Sequence, residues 1–349
     1  MRRVARLMAV GAIVALVAAA CSSKGTTGGG GSPSGNKTKV GMVYDLVGRG
    51  DKSFNDAAYS GLLRASQQLP ITYKELTPDS KGTNREALMR LLATQGYPFI
   101  VGNGFLFADT VNKLAKEFPK VDFAVTDGSA AAAPNVVNMD FAENEGSYLA
   151  GVASALKTKT NHIGFIGGVD TSLIHKFDKG YAAGAKSVKP NIKIDVKYIS
   201  APPDFSGFNN PAKGHEIALA MYQSGADIVY AAAGGSGTGM FQAASEFSAK
   251  GKKVWGIGVD SDQYQTVPQY KDFVLTSMIK HVEVAIFNTI KAFVDKSFKS
   301  GTSVFDLKAG GVGLSYSGGF INDIKSQIDA AAQKITSGQI TVPCGGAGC

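Results

Sequence analysis

Acidic, amide and aromatic side chains recur in short polar loops that follow apolar segments of this chain. One loop contains Asp45, Phe54 and Asn55, and later loops contain Asp127 and Asp260. Carboxylate and amide groups form hydrogen bonds with N–H and O–H groups, and an aromatic ring offers a flat apolar face. Together, these residue types indicate a site for a small polar molecule that contains a planar ring.

The same residues have structural interpretations, which the sequence alone leaves open. Asp45, Asp127 and Asp260 could be ordinary turn or helix-capping residues. Phe54 could be a core residue, and so could Phe208 in a later loop. Two of the aspartates could instead form the acid/base pair of a glycoside hydrolase, because the sequence does not give the distance between them.

Motifs of several enzyme classes are missing from the sequence. Residues 234–239 are rich in glycine but lack the lysine of a phosphate-binding loop, and there is no GxSxG elbow. The histidines form neither HExxH nor HxxxH spacing and lie far apart, at His162, His175, His215 and His281. We therefore expect no metal site and no bound cofactor.

Segments typical of strands and helices alternate from Val40 onward. Residues 40–46 are predicted to form a strand, residues 55–69 place apolar side chains at helical spacing, and residues 177–188 are predicted to form a later helix. This alternation predicts parallel sheets built from βαβ units, and two successive sets of about four units predict two doubly wound lobes. Ligands of such sheets bind at the carboxyl ends of the strands, which is where the polar loops fall.

The loop before residue 54 also indicates where the first helix begins. Ser53 and Asp56 have the spacing of a capping box, with aspartate in place of the usual glutamate. This spacing predicts a helix that begins near Phe54 and Asn55 and directs its free backbone N–H groups into a cleft.

The N-terminal segment predicts export and a lipid anchor. Arginines in the first six residues precede an apolar run over residues 7–20, which ends in small residues directly before Cys21. The arrangement resembles a bacterial lipobox, in which the cysteine is acylated, although Ala18 stands where leucine is usual. The Gly/Ser-rich stretch that follows is typical of a flexible tether. An ordinary signal peptide with a coincidental cysteine is the alternative.

Length and charge narrow the function classes further. The 349 residues are enough for two domains after a signal peptide and a tether. Loss of the signal arginines lowers the formal charge from +8 to +5, and no arginine-rich patch alternates with aromatic residues, so we expect no nucleic-acid partner. Cys344 and Cys349 lie close together in the tail, where a disulfide is the usual interpretation for an exported protein.

The polar loops carry motifs that resemble those of a known family. The segments GMVYDL at 41–46 and GDKSFND at 50–56 strongly resemble the signature of the BMP family of basic membrane lipoproteins, the group that includes purine nucleoside receptor A. Further matches follow in the same order: GNGF at 102–105, KGYAAG at 179–184, AAG and GTG within 232–239, GVDSDQ at 258–263 and LTSMIK at 275–280. The resemblance extends over residues 40–316.

The resemblance implies an α/β fold of the type I periplasmic-binding-protein kind, in which two doubly wound lobes joined by crossover strands close on a ligand. Outside the matching region, the residues themselves predict a signal peptide at 1–20, a tether at 21–37 and a cysteine-containing tail at 341–349. Residues 38–140 plus 280–303 would form lobe 1, and residues 141–279 plus 304–340 would form lobe 2.

The resemblance also implies a function. The protein would be a monomeric, extracytoplasmic receptor, anchored to the cell membrane through lipid on Cys21, and it would not be an enzyme. It would bind a nucleoside and pass it to the permease subunits of an ABC importer.

Roles for individual residues follow only from the matching motifs. Phe54 and Phe208 would sandwich the nucleobase. The remaining residues would bind its polar edge (Asp45, Asn55 and Asp127), hold the ribose hydroxyls (Asp260 and Lys280) or give the sugar close access to the backbone (Gly234). Because residues 201–210 depart from the family pattern, Phe205 remains an alternative to Phe208.

Two other functions stay open at this point. The protein could be a receptor for another small solute, such as a sugar or a signalling molecule. It could also be a secreted nucleoside hydrolase with a doubly wound fold.

Overall fold

A computed structural model describes residues 37–345 of the chain. Its strands are β1 (Thr38–Val43), β2 (Ile71–Leu76), β3 (Phe99–Asn103), β4 (Asp122–Thr126), β5 (Val136–Phe141), β6 (His162–Val169), β7 (Lys193–Ser200), β8 (Ile228–Ala232), β9 (Trp255–Asp260), β10 (Val274–Lys280), β11 (Gly301–Phe305) and β12 (Val312–Leu314). Its α-helices are α1 (Phe54–Gln68), α2 (Arg85–Thr94), α3 (Ala108–Glu117), α4 (Glu143–Lys157), α5 (Ser172–Val188), α6 (Pro211–Gln223), α7 (Gly237–Ser248), α8 (Gln263–Thr266), α9 (Val282–Val294) and α10 (Lys325–Thr336).

Within the described residues, the strands form two six-stranded sheets. The strand order is β11-β5-β4-β3-β1-β2 in the first sheet and β12-β10-β9-β8-β6-β7 in the second. The strands pair in parallel except for β12, which runs antiparallel to β10. The predicted pair of parallel α/β sheets is therefore confirmed.

The central strands are apolar because helices cover both faces of each sheet. Every residue of β3 and β8 is buried, as expected for strands of a parallel sheet with two covered faces. In β3 and β8 the buried run includes Phe99, Val101 and Tyr230. These buried strands hold their carboxyl ends in place and thereby position the loops that follow.

The KGYAAG motif lies where α4 and α5 pack together. A Cβ atom on Gly184 would overlap the carbonyl oxygen of Tyr148, and one on Gly151 would overlap that of Tyr181. Glycine at these positions therefore allows the two helices to approach more closely than larger side chains would permit.

The chain passes between the two sheets at particular points of the described part. It leaves the first sheet after Phe141, returns to it after Lys280 and leaves it again after Phe305. These crossings lie near the boundaries predicted for the lobes, but the division of the chain into those lobes remains a prediction.

Some predicted elements need correction. The first strand ends at Val43, not at residue 46, so Asp45 already lies in the loop. Helix α5 begins at Ser172, whereas the sequence predicted residues 177–188. The earlier start arises because Thr171 caps the helix by accepting a hydrogen bond from the N–H of Ile174.

The predicted anchor and part of the tail lie outside the described residues, including Cys21 and Cys349. Cys344 is described and is disulfide-bonded. Among the described helices, none has the length and apolar character needed to span a bilayer.

Candidate functional site

A cavity lies between the carboxyl ends of the two sheets. The space between its lining atoms, counted together with the adjoining open solvent, is about 620 Å³. All of the ligand-binding residues predicted from the sequence line this cavity: Asp45, Phe54, Asn55, Asp127, Phe208, Gly234, Asp260 and Lys280. The structure thus brings together residues that are up to 235 positions apart in the chain.

The aromatic faces of the cavity come from opposite sheets. Phe54 is the first residue of α1, and the ammonium nitrogen of Lys280 lies 4.8 Å from the centre of its ring. Phe208 lies in a turn after β7 and contacts Phe105 edge to face, with the ring centres 6.4 Å apart. Phe205 also contacts Phe105 but is not part of the cavity lining among the described residues.

The predicted capping box is wrong. The side chain of Ser53 makes no capping hydrogen bond; it donates to Asp260 of the second sheet at 2.7 Å. Asp51 accepts the free N–H groups of Ser53, Asn55 and Asp56 at 2.8–3.1 Å instead. A carboxylate accepts several hydrogen bonds at once, so the helix start is satisfied without the serine hydroxyl.

Asn55 is held in one orientation. Its side-chain oxygen accepts hydrogen bonds from the backbone N–H of Asp45 and from the side-chain amide of Asn103, at 3.3 and 3.0 Å. Because a backbone N–H can only donate, the amide oxygen must face Asp45. The amide nitrogen of Asn55 makes no hydrogen bond with another described residue, so it remains a donor available to a ligand.

Asp127 and Asp260 occupy matching positions at the ends of β4 and β9. Both have left-handed backbone conformations, with φ of 53° and 62°. Aspartate tolerates this conformation better than most residues, and such strained positions concentrate at functional sites. Each turn aims a carboxylate into the cavity from its own sheet.

Lys280 joins these carboxylates at the centre of the site. Its ammonium donates to both oxygens of Asp127 at 2.9 and 2.8 Å and lies 3.6 Å from Glu143 and 3.9 Å from Asp260. Burial alone would lower the pKa of Lys280, but the neighbouring carboxylates, with Asp127 first, raise it above its ordinary value. Lys280 is therefore a fixed cation at neutral pH.

Burial raises the pKa values of the acidic groups around Lys280, whereas it would lower that of the lysine. Burial raises the pKa of Glu143 to about 7 and also raises the pKa of Asp260, while Lys280 opposes both shifts. Glu143 is fully buried and is also paired with Lys176 at 3.2 Å. The charge of Lys280 thus favours the ionised forms of these carboxyl groups.

Asp45 has a different cation nearby. Its carboxylate accepts the N–H of Leu46 at 2.8 Å and lies 3.8 Å from the guanidinium of Arg85. Burial raises the pKa of Asp45 to about 6, against the opposing effects of Arg85 and the Leu46 hydrogen bond. Asp45 therefore titrates closer to neutrality than an exposed aspartate does.

Hydrogen bonds also join the two sides of the cavity. Ser53 donates to Asp260, Ser261 donates to the carbonyl of Ser53 at 3.0 Å, and Gln263 donates to the carbonyl of Lys52 at 3.1 Å. Since the α1 loop and the β9 loop belong to different sheets, this structure is a closed form of the cavity.

Sequence reasoning missed several residues of the site. Phe177 and Ile174 line the cavity from the first turns of α5, and the predicted helix, which began at residue 177, omitted the turn that holds Ile174. Glu143 and Arg85 lie behind the lining. Glu143 is an ionic partner of Lys280, and Arg85 is one of Asp45. Thr171, the N-cap of α5, was a signal for the earlier start of that helix. No local pattern marks Glu143 and Arg85 as site residues.

Comparison with known proteins gives a consistent result. The model of the Bmp family, "ABC transporter substrate-binding protein PnrA-like", matches residues 37–345. The chain is 38% identical to "ABC transporter nucleoside-binding protein BmpA" of Lactococcus lactis subsp. cremoris, over 98% of this chain and 99% of that protein. It is 33% identical to an uncharacterized lipoprotein of Pyrococcus horikoshii, over 88% and 76% of the two chains.

A solved structure shows the same fold. The solute-binding protein of an ABC transporter system from Aeropyrum pernix K1 matches with a TM-score of 0.78 and 28% identity, over 88% of this chain and 94% of that one. The predicted type I periplasmic-binding-protein-like fold and the resemblance to the BMP family are thus confirmed. The chain belongs to the Bmp family of PnrA-like ABC transporter substrate-binding proteins.

Proposed function

We propose that this protein is a lipid-anchored extracytoplasmic receptor that binds a purine nucleoside and delivers it to an ABC importer. The observation that carries the proposal is the cavity, which combines two phenylalanine rings with buried carboxylates and a buried ammonium. The name of the Lactococcus relative, a nucleoside-binding protein, supports the same ligand class.

The nucleobase lies between Phe54 and Phe208 in this proposal. Both rings line the cavity from opposite sheets, so closure would place a flat ring between them. Asp45 accepts hydrogen bonds from base N–H groups, and the free amide nitrogen of Asn55 donates to a base acceptor. The stacking is worth about 1–3 kcal/mol per base, by analogy with single-strand nucleic-acid binders.

The ribose lies near Lys280. Asp260 accepts hydrogen bonds from ribose hydroxyls, and the ammonium of Lys280 donates to a hydroxyl oxygen. We place Asp127 with this group as well as at the base edge, because Lys280 holds both of its oxygens. Gly234 has a φ of 54° and its Cβ would lie 3.0 Å from the carbonyl of Phe208, so glycine keeps this side of the sugar pocket open.

We propose binding without catalysis. The enzymatic alternative, nucleoside hydrolysis, needs a carboxylate free to act on water. Asp127 and Asp260 are instead engaged by Lys280 and Ser53, and membership in a substrate-binding family favours transport. The receptor acts as a monomer, and its partners are the permease subunits of the importer.

A purine nucleoside should stabilise the protein against heat. At a concentration 100-fold above Kd, adenosine, guanosine or inosine should raise Tm by roughly 5 °C, because a ligand that binds only the folded state adds about 2.7 kcal/mol. A thermal-shift panel measures this directly, with a free hexose as the matched small polar control.

Other outcomes of this panel discriminate between the proposed classes. A hexose response without a nucleoside response would make the protein a sugar receptor. In a separate assay, release of free base from a nucleoside incubated with the pure protein would make it a hydrolase.

Lipid attachment should depend on Cys21. Cys21→Ser should move the protein from the membrane fraction to the soluble fraction or block its processing, because stable anchoring needs two or more acyl chains on that residue. Fractionation and intact-mass measurement test this, with Ser23→Ala as the neighbouring control. Mature Cys21→Ser protein in the membrane fraction would contradict the anchor.

A further inference from the structure

The guanidinium of Arg85 lies behind Asp45, outside the cavity lining. Arg85 is the first residue of α2, and its Nη2 atom is 3.8 Å from Oδ1 of Asp45. Its Nε and Nη2 atoms are buried and have no hydrogen-bond partner among the described residues. Buried donors without partners are rare in folded proteins, so the position of this side chain requires a reason.

The surrounding turn holds the guanidinium in place. Asp79 accepts hydrogen bonds from the backbone N–H groups of Lys81 and Thr83, and Asn84 accepts one from the N–H of Asp79. Gly82 in this turn has a φ of 68°, and a Cβ atom there would overlap the guanidinium. The turn therefore closes over Arg85 and keeps its charge beside Asp45.

The charges that face Asp45 make Arg85 its balancing cation. Arg85 from α2 and Asp127 from the end of β4 act on Asp45, in opposite directions. Asp127 is paired with Lys280 at 2.8 Å. Without Arg85, burial and the neighbouring aspartate would both favour the neutral acid form of Asp45.

We propose that Arg85 is a positioning residue for ligand binding, which keeps Asp45 ionised so that Asp45 accepts hydrogen bonds from the N–H groups of the base. The proposal rests on the proposed function for its ligand. It assigns no ligand contact to Arg85 itself. A guanine edge, with N–H groups at N1 and N2, requires an ionised acceptor, because a neutral carboxyl group would present its own O–H there.

The ionisation of Asp45 can be measured without a ligand. We expect Arg85→Met to raise the pKa of the Asp45 carboxyl by about one unit or more, which is the size of effect that an opposite charge at this distance produces. Carbon-detected NMR titration of the aspartate side chains reports this value, and Asp45→Asn identifies the signal. Arg85→Lys should restore most of the wild-type titration.

The consequence for binding is a shift of the pH profile. For guanosine, calorimetry between about pH 5 and pH 8 should show the Arg85→Met profile displaced to higher pH, with about fivefold weaker binding near the wild-type midpoint, rising toward about tenfold below it. In an Asp45→Asn background, Arg85→Met should cause no further displacement of the profile. Arg90→Met on the same helix, whose partners Glu86 and Glu117 are away from the cavity, should follow the wild-type profile.

Each outcome decides the proposal. An unchanged pKa of Asp45 in Arg85→Met overturns it, whatever the ligand is. Equal loss of affinity at every pH also overturns it, because that result indicates a packing role. If wild-type protein binds no nucleoside but Arg85→Met still raises the pKa of Asp45, the charge effect stands, and the ligand in the proposed function is wrong.

Discussion

Replacing Lys280 by methionine should abolish ligand binding and lower the free energy of unfolding by about 3–5 kcal/mol, because removal of one partner of a buried ion pair leaves an uncompensated charge. The side chain is 3% exposed, and the carboxylates of Asp127, Glu143 and Asp260 lie within 3.9 Å of its ammonium. Methionine matches the length of the stem, so the change removes mainly the charge.

The loss of stability should depend on pH in a defined direction. Burial already raises the pKa values of Glu143 and Asp260 in the folded protein, and Lys280 opposes this rise. Without Lys280 the folded state therefore binds more protons than the unfolded state, so its stability falls as pH rises. The deficit relative to wild type should be smallest near pH 5 and largest near pH 8.

Urea unfolding of wild type and variant across this pH range measures the effect. Lys325→Met is the matched control, because Lys325 pairs with Asp329 on the exposed surface of α10, and exposed pairs contribute little to stability. A Lys280→Met protein as stable as wild type at pH 8 would show that the cluster does not depend on this cation.

The residues that line the cavity could be predicted because they follow strands. In a parallel sheet the loops after the strands meet at one edge. Asp127 follows β4 directly and Asp260 is the last residue of β9, so both could be located in this way. The family motif then added Lys280, and it assigned to Phe54 and Asn55 specific roles that no local pattern indicates.

The supporting residues could not be predicted from the sequence. Glu143 and Arg85 act through contacts with groups that local sequence patterns do not pair with them. The capping box failed for the same reason, since its serine hydroxyl finds a partner 207 residues away, in Asp260. Residue spacing indicates only which groups within one helix turn could form hydrogen bonds with each other. The fold adds acceptors from the opposite sheet, such as Asp260 for the hydroxyl of Ser53.

Closure connects these supporting contacts to binding. Ser53 and Lys280 each contact groups of the opposite sheet directly in the closed form. A ligand between the sheets would contact both of them only when these contacts of Ser53 and Lys280 are also formed. It would therefore shift the population toward the closed state. The ligand and the protein's own hydrogen bonds across the cavity then both contribute to the free energy of closure.

Replacing either cavity phenylalanine by alanine should weaken nucleoside binding by about 1–3 kcal/mol, or roughly five- to 150-fold in Kd, because each ring supplies one stacking face. Phe54 and Phe208 are half-buried at the cavity wall, so their removal should leave the fold intact. Phe205→Ala is the matched control, since Phe205 contacts the same Phe105 ring at 6.1 Å but does not line the cavity.

Titration calorimetry with a purine nucleoside compares the three variants, and circular dichroism confirms that each is folded. We expect Phe54→Ala and Phe208→Ala to lose affinity and Phe205→Ala to bind as wild type does. If Phe208→Ala binds normally and Phe205→Ala does not, the second stacking face belongs to Phe205, and the closed cavity described here is not the ligand-bound one. Unchanged affinity in both Phe54→Ala and Phe208→Ala would eliminate the stacked base, because each substitution removes one stacking face. The polar groups of the cavity, Asp45, Asp260 and Lys280, stay in place in both variants.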